Sequence, residues 1–100
     1  MGRAVTFIGA ADVFHCSGMV RFGGSTDVFV NGIGVSRQGD VNTVHKVPIP
    51  GTPICGKHAR PITLGSTTVK VNGRGCGRIF DSLTDCTRVA QGSPNVFAGG

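Results

Sequence analysis

A segment of about 24 residues occurs twice in this 100-residue chain, with the two copies offset by 41 residues. Gly24-Ser25-Thr26 falls on Gly65-Ser66-Thr67, Val28 on Val69, and Val30-Asn31-Gly32 on Val71-Asn72-Gly73. The match continues through Gly34 and Gly75, Arg37 and Arg78, Asp40 and Asp81, and Thr43 and Thr84, giving 11 identities over positions 22 to 45. A third copy, Gly92 to Gly100, matches residues 24 to 32 at five of nine positions and stops where its turn would begin. A repeat that cannot bury its own apolar face depends on its neighbours, and three short copies are too few for an open solenoid. The expectation is one domain over residues 1–100, with repeats at about 15–45, 58–86 and a truncated 86–100, closed with approximate three-fold symmetry.

The repeat unit reads as β-structure. Thr26-Asp27-Val28-Phe29-Val30 and Thr67-Thr68-Val69-Lys70-Val71 are rich in β-branched residues and each runs into Asn-Gly, the dipeptide of tight hairpin turns. Helical periodicity is nearly absent, because Gly and Pro interrupt every stretch of a dozen residues. The fold class expected is therefore all-β, built from short hairpins. Residues Lys46 to Pro61 carry Pro48, Pro50, Pro53 and Pro61 and read as an irregular loop, since proline lacks a ladder donor. Gly73-Arg74-Gly75-Cys76-Gly77 is glycine-rich, but no helix follows it to complete a phosphate cradle, so it reads as a turn.

Such a chain needs a staple. A domain of this size buries only about 60 to 70% of its unfolded surface. Here six Phe are the only aromatic residues, and 17 Gly raise the entropy cost of ordering. Disulfides, a metal or a partner usually supply the deficit. No charged segment followed by an apolar run opens the sequence, so the reducing cytosol is the expected site of synthesis, where clustered Cys and His favour metal over disulfides. No apolar run approaches the roughly 20 residues of a membrane-spanning helix. The net charge of +5 comes from singly scattered Arg and Lys without interleaved stacking aromatics, which argues against nucleic acid as a partner.

The metal candidates follow the repeat. The 41-residue offset places His45 on Cys86, each five residues after its aspartate. His15, His58 and Cys86 also precede the Gly-Ser strands by 10, 8 and 7 residues, counted to Ser25, Ser66 and Ser93. Three imidazoles and one thiolate form a closed tetrahedral shell that suits one structural zinc ion and leaves no position for a catalytic water, although imidazole would serve iron as well. Cys55 forms a CxxH with His58 and is an alternative to His58 or His15 in the shell. Cys16 and Cys76 read as packed, structural thiols.

The order of elements resembles the PAAR proteins: an early His, a Gly-Ser strand ending in Asn-Gly, a four-residue signature ending in Arg, an Asp, then His and Cys before later strands. Here the signatures read Gly34-Val35-Ser36-Arg37 and Gly75-Cys76-Gly77-Arg78, and both keep the Arg. The resemblance implies a small conical domain with pseudo-three-fold symmetry, with zinc near its apex on His15, His45, His58 and Cys86. It implies one copy seated on a trimeric β-helical spike, sharpening the membrane-piercing tip of a phage tail or of a type VI secretion spike. Such a tip would be a monomer alone, would contact the target envelope transiently, and would not be an enzyme. The alternatives are a small zinc-binding interaction module and a metal-dependent hydrolase. The hydrolase is disfavoured because the chain has no Glu, and Asp40 and Asp81 have a simpler role as turn caps. A zinc ribbon would require CxxC knuckles, which are missing.

Overall fold

The structure, a computed structural model, describes residues 2–14, 18–48, 51, 55–84 and 86–100. Its described residues form short antiparallel strand pairs and no helix. Strand β1 is Arg3–Ala4, β2 Phe29–Val30, β3 Ile33–Gly34, β4 His45–Pro48, β5 Cys55–His58, β6 Lys70–Val71, β7 Arg74–Gly75 and β8 Phe97–Ala98. The all-β expectation holds.

The two Asn-Gly dipeptides make the turns their chemistry favours. Asn31 and Gly32 have φ of 50° and 80°, and Asn72 and Gly73 have 53° and 78°. Two consecutive left-handed residues define the tight turn whose twist matches the strands it joins. They connect β2 to β3, with Val30 opposite Ile33, and β6 to β7, with Val71 opposite Arg74.

The third copy is completed from the other end of the chain. Strand β8 pairs with β1, with Ala98 opposite Arg3 and Phe97 opposite Ala4. The N-terminal segment is thus the return arm of the third hairpin, and the register carries on: Val5 corresponds to Val35 and Cys76, Thr6 to Ser36 and Gly77, Phe7 to Arg37 and Arg78, and Gly9 to Gly39 and Phe80. These last three all hold positive φ, at 90°, 88° and 67°. Few identities link this arm to its counterparts, among them Val5 with Val35, Gly9 with Gly39 and His15 with His45. That is why the 41-residue comparison alone left the third copy truncated.

Equivalent contacts close into rings. The amide of Thr6 donates to Gly77 O (3.0 Å), that of Ser36 to Thr6 O (3.2 Å), and that of Gly77 to Ser36 O (2.9 Å). The pairings Phe7 with Val35, Arg37 with Cys76 and Arg78 with Val5 repeat the same relation, as do Ala11 with Val20, Val41 with Pro61 and Ser82 with Arg88, while Arg21 with Asn42, Ile62 with Leu83 and Val89 with Asp12 form an equivalent set within each copy. Ser25, Ser66 and Ser93 are all buried. Each hydroxyl accepts from the amide three residues on (Val28, Val69, Val96) at 2.8, 2.9 and 3.1 Å. Each also reaches the turn of the next copy: Ser25 to Asn72 Oδ1 at 2.7 Å, Ser66 to Gly99 O, and Ser93 to Asn31 Oδ1 at 2.8 Å. A Cβ on Gly77 would stand 2.5 Å from Ser36 O and 2.9 Å from the Thr6 methyl, so this member of the central ring must lack a side chain.

The core is built from the same sets. Val30, Val71 and Ala98 from the outgoing strands meet Val5, Val35 and Cys76 from the return arms, with Phe7 packed against them. A second cluster, Ile62, Leu83 and Val89, packs against Cys86. The molecule measures 40 × 23 × 23 Å.

One expectation is corrected. The segment from Lys46 to Pro61 contains the longest strand pair among the described residues, β4 with β5, running from His45 opposite His58 to Pro48 opposite Cys55. Proline is excluded from central strands, whereas a two-stranded ribbon has edges and ends that tolerate it. Pro48 is the last residue of β4, and Pro61 lies beyond β5; Pro50 and Pro53 lie outside the described residues.

Because the third hairpin is open where the others have turns, the position of the chain ends should be interchangeable with either turn. A circular permutant joining Gly100 to Arg3 and opening between Asn72 and Gly73 is expected to fold with a Tm within about 10 °C of the parent, corresponding to roughly 1–2 kcal/mol in a domain of this size. An unfolded permutant by circular dichroism would contradict the equivalence.

Candidate metal centre

His45 and His58 face each other across the first pair of the β4–β5 hairpin, so their position is set by register. Directly opposed residues in an antiparallel pair project to the same side of the ribbon. Both imidazoles are buried, and their ring centroids lie 4.4 Å apart at 69°. Cys86 reaches the pair from the next copy: its Sγ is 3.4 Å from His45 Nε2 and 3.5 Å from His58 Nε2. These three potential ligand atoms all lie within 4.8 Å of one another.

The spacing fits a metal. For bonds of about 2.3 Å to sulfur and 2.0 to 2.1 Å to nitrogen, a tetrahedral angle gives an S···N edge of about 3.5 Å. The His45 ring is also oriented for the task. Its Nδ1 lies 2.8 Å from Thr43 O, a contact that requires the proton on Nδ1 and leaves the Nε2 lone pair directed at the cluster. A backbone carbonyl holding the outer nitrogen is the usual device for fixing a ligating imidazole.

Of the residues expected at the site, His45, His58 and Cys86 converge. His15 and Cys16, and the side chain of Cys55, lie outside the described residues. The register of the N-terminal arm nevertheless sharpens the sequence argument for His15. If Val5 answers to Val35 and Cys76, and Gly9 to Gly39 and Phe80, then His15 answers to His45 and Cys86. The spacing to the Gly-Ser strands grouped His15, His58 and Cys86 instead; the strand pairing corrects that, because His58 enters from the opposite strand of the hairpin that His45 begins. The signal available in sequence was the 30-residue offset linking Val5, Gly9 and His15 to Val35, Gly39 and His45.

A polar group that sequence reasoning did not single out adjoins this site. Arg21 and Asp12 form an ion pair, Nε to Oδ2 at 3.1 Å, with both side chains fully buried. Asn42 Nδ2 donates to the same Oδ2 at 3.1 Å. Burial pushes the Asp12 carboxyl upward against the lowering pull of Arg21 and Asn42, and burial pushes the Arg21 guanidinium down against the raising effect of Asp12. Both groups also feel the candidate ligands to a smaller degree, Asp12 the lowering effect of His45 and Arg21 the raising effect of Cys86.

The remaining aspartates among the described residues are engaged elsewhere. Asp40 and Asp81 cap their turns, accepting from the amides of Arg37 and Arg78 at 2.8 Å, as expected. Each also binds the side chain of that arginine and a second arginine from another repeat copy, Arg74 for Asp40 and Arg3 for Asp81. Asp27 bonds to Asn72 and Ser25, which lower its pKa.

The thiols differ in environment. Cys76 is 2% exposed, and burial pushes its pKa to about 11, so little thiolate exists near neutrality. In residue-resolved alkylation by mass spectrometry at pH 8, Cys76 should remain unmodified until the protein unfolds, whereas Cys86 should react once a chelator is present. Rapid labelling of Cys76 in the folded protein would refute this packing. No family model matches the chain and no curated protein matches its sequence.

Proposed function

We propose that this protein is the metal-stapled tip of a contractile injection spike, a cone with pseudo-three-fold symmetry seated as one copy on a trimeric β-helical shaft. The observation that carries this reading is the set of closed rings: backbone, serine and strand contacts each pass from copy one to two to three and back. A single chain that repeats its surface three times about an axis can meet three identical chains at once, and interface symmetry of this kind is what a trimeric partner selects. Val28, Val69 and Val96, one from each copy, are exposed to 37, 40 and 40%, a near-equal triplet suited to three equal contacts.

Zinc is the metal proposed, held by His45, His58 and Cys86 with His15 as the fourth ligand. Four protein ligands make a structural ion. Among the described residues, Asp12, Asp27, Asp40 and Asp81 are engaged in their own networks, which supports a structural over a hydrolytic role, since a hydrolase needs a carboxylate or comparable base free to work on water. When bound, the metal supplies a cross-link between the hairpin and the following copy. The virion tail or the secretion spike is the place proposed for such a tip.

Co-expression with the spike trimer encoded by the same genome should yield a 1:3 complex by native mass spectrometry; a chain that ignores the trimer would sink the assignment. Elemental analysis should find one zinc per chain. His45→Ala should lose that zinc and lower Tm by about 15 °C or more, as expected when several kcal/mol of metal-linked folding energy is removed. A variant that melts with the parent would reject a stapling role for the metal.

A further inference from the structure

Building on the metal reading above, we propose that Arg21 and Asp12 are positioning residues for the metal ligands, fixing the two ends of the β4–β5 hairpin from beneath. The guanidinium of Arg21 makes three kinds of contact. Nε binds Asp12 Oδ2 at 3.1 Å, Nη1 donates to Asp40 O at 3.1 Å, and Nη2 donates to Arg60 O at 3.3 Å. The two carbonyls belong to the segments that lead into and out of the hairpin: Asp40 precedes His45 by five residues, and Arg60 follows His58 by two. Asn42 ties the same strands together, its amide donating to Arg60 O at 3.1 Å and its Oδ1 accepting from Arg60 N at 2.8 Å. Asp12 completes the group by holding both Arg21 and Asn42 through one oxygen.

The repeat provides an internal control for what the fold itself requires. In the three-fold register, Arg21 is equivalent to Ile62 and Val89, and Asp12 and Asn42 to Leu83. At the other positions of this layer the chain uses aliphatic residues, only 1, 0 and 3% exposed at Ile62, Val89 and Leu83. The backbone therefore accepts an apolar layer, and a buried ion pair is generally no more stabilising than well-packed apolar residues of similar volume. What the apolar layer cannot do is grip carbonyls. The polar trio occurs at the one place where the following segment leaves the repeat to form the hairpin carrying His45 and His58. The planar fork of arginine can span a carboxylate and two carbonyls together; an ammonium cannot hold that geometry.

The test measures zinc affinity by chelator competition, alongside the cobalt(II) spectrum of the substituted protein. The variants are Arg21→Lys, which keeps the charge beside Asp12, and the double variant Asp12→Leu/Arg21→Ile, which copies the apolar layer. Both are expected to fold when zinc-loaded, to bind zinc about 10- to 100-fold more weakly, and to shift the cobalt ligand-field bands as the imidazoles lose their fixed placement. Parent-like affinity and spectrum in Arg21→Lys would overturn the proposal, as would a double variant that loses thermal stability while binding zinc as tightly as the parent. If the double variant fails to fold, Arg21→Lys decides the matter. A parent chain that binds no zinc would overturn the metal reading as well, whereas tight binding by parent and variants alike would remove only the positioning role.

Discussion

Three backbone hydrogen bonds, from Thr6 to Gly77, Gly77 to Ser36 and Ser36 to Thr6, hold the three copies to one another. No copy can satisfy these groups alone, because each amide finds its acceptor in another copy. Unpaired, all three donors and acceptors would be buried without partners, and each would cost roughly 1–3 kcal/mol. The ring explains why strands of only two residues suffice. Such pairs are unstable in isolation, but here every short hairpin is braced by equivalents on both sides. It also explains why the N-terminus must return to pair with β8: without Thr6 the ring is open, and Gly77 O and Ser36 N lose their partners together.

The rings are not chemically uniform, and the differences follow a pattern. At two of the three seams, Arg37–Asp40–Arg74 and Arg78–Asp81–Arg3 join one copy to another through a carboxylate accepting from two guanidinium groups. At the third, the equivalent residues are Phe7, Ala10 and Ile33. Arg37 also donates to Asn72 Oδ1 and Arg78 to Gly99 O, each reaching the turn of the next copy; Phe7 instead packs against the valine core. The Arg retained in both four-residue signatures is therefore an inter-copy strut. Its replacement by Phe at the third seam shows that the fold tolerates either solution so long as the seam is filled.

Much of this was legible in the sequence because identical backbone needs select similar residues. Asn31-Gly32 and Asn72-Gly73 announce their turns through the positive φ they require, and Ser25, Ser66 and Ser93 announce their buried caps through recurrence. The return arm at residues 3–14 was hidden because its seam is the apolar one, where Phe7 and Ala10 replace the Arg and Asp of the other copies. The β4–β5 hairpin was hidden by its prolines, which argue against a central strand but not against the end of an isolated ribbon. In the site, the equivalence of His45 and Cys86 could be read from the 41-residue offset. His58 could be nominated from its spacing to Ser66, but its place opposite His45 could not, since it depends on a strand pairing with no counterpart in the repeat. The Asp12–Arg21–Asn42 group was equally hidden, because a buried Arg at the position of Ile62 and Val89 leaves no periodic mark.

The hairpin is where the three-fold logic ends, and this locates the mechanical weakness that a metal would correct. Up to Val41, Ser82 and Ala11, each segment finds an equivalent partner in another copy, at Pro61, Arg88 and Val20. From His45 onward the chain leaves that scheme, and β4 and β5 pair only with each other among the described strands. A two-stranded ribbon attached at one end is free to hinge about its base. Among the described residues, that base is crossed by the paired segments at Asn42 and Arg60, the Arg21 fork beneath them, and the approach of Cys86 Sγ to His45 and His58. Cys86 is separated from His45 by a copy boundary, so an ion shared among these three would restore the inter-copy link that the backbone stops making at this level. In the spike-tip reading proposed above, load on the hairpin would then pass into the repeat through coordination bonds and one guanidinium fork, and from there into the closed rings.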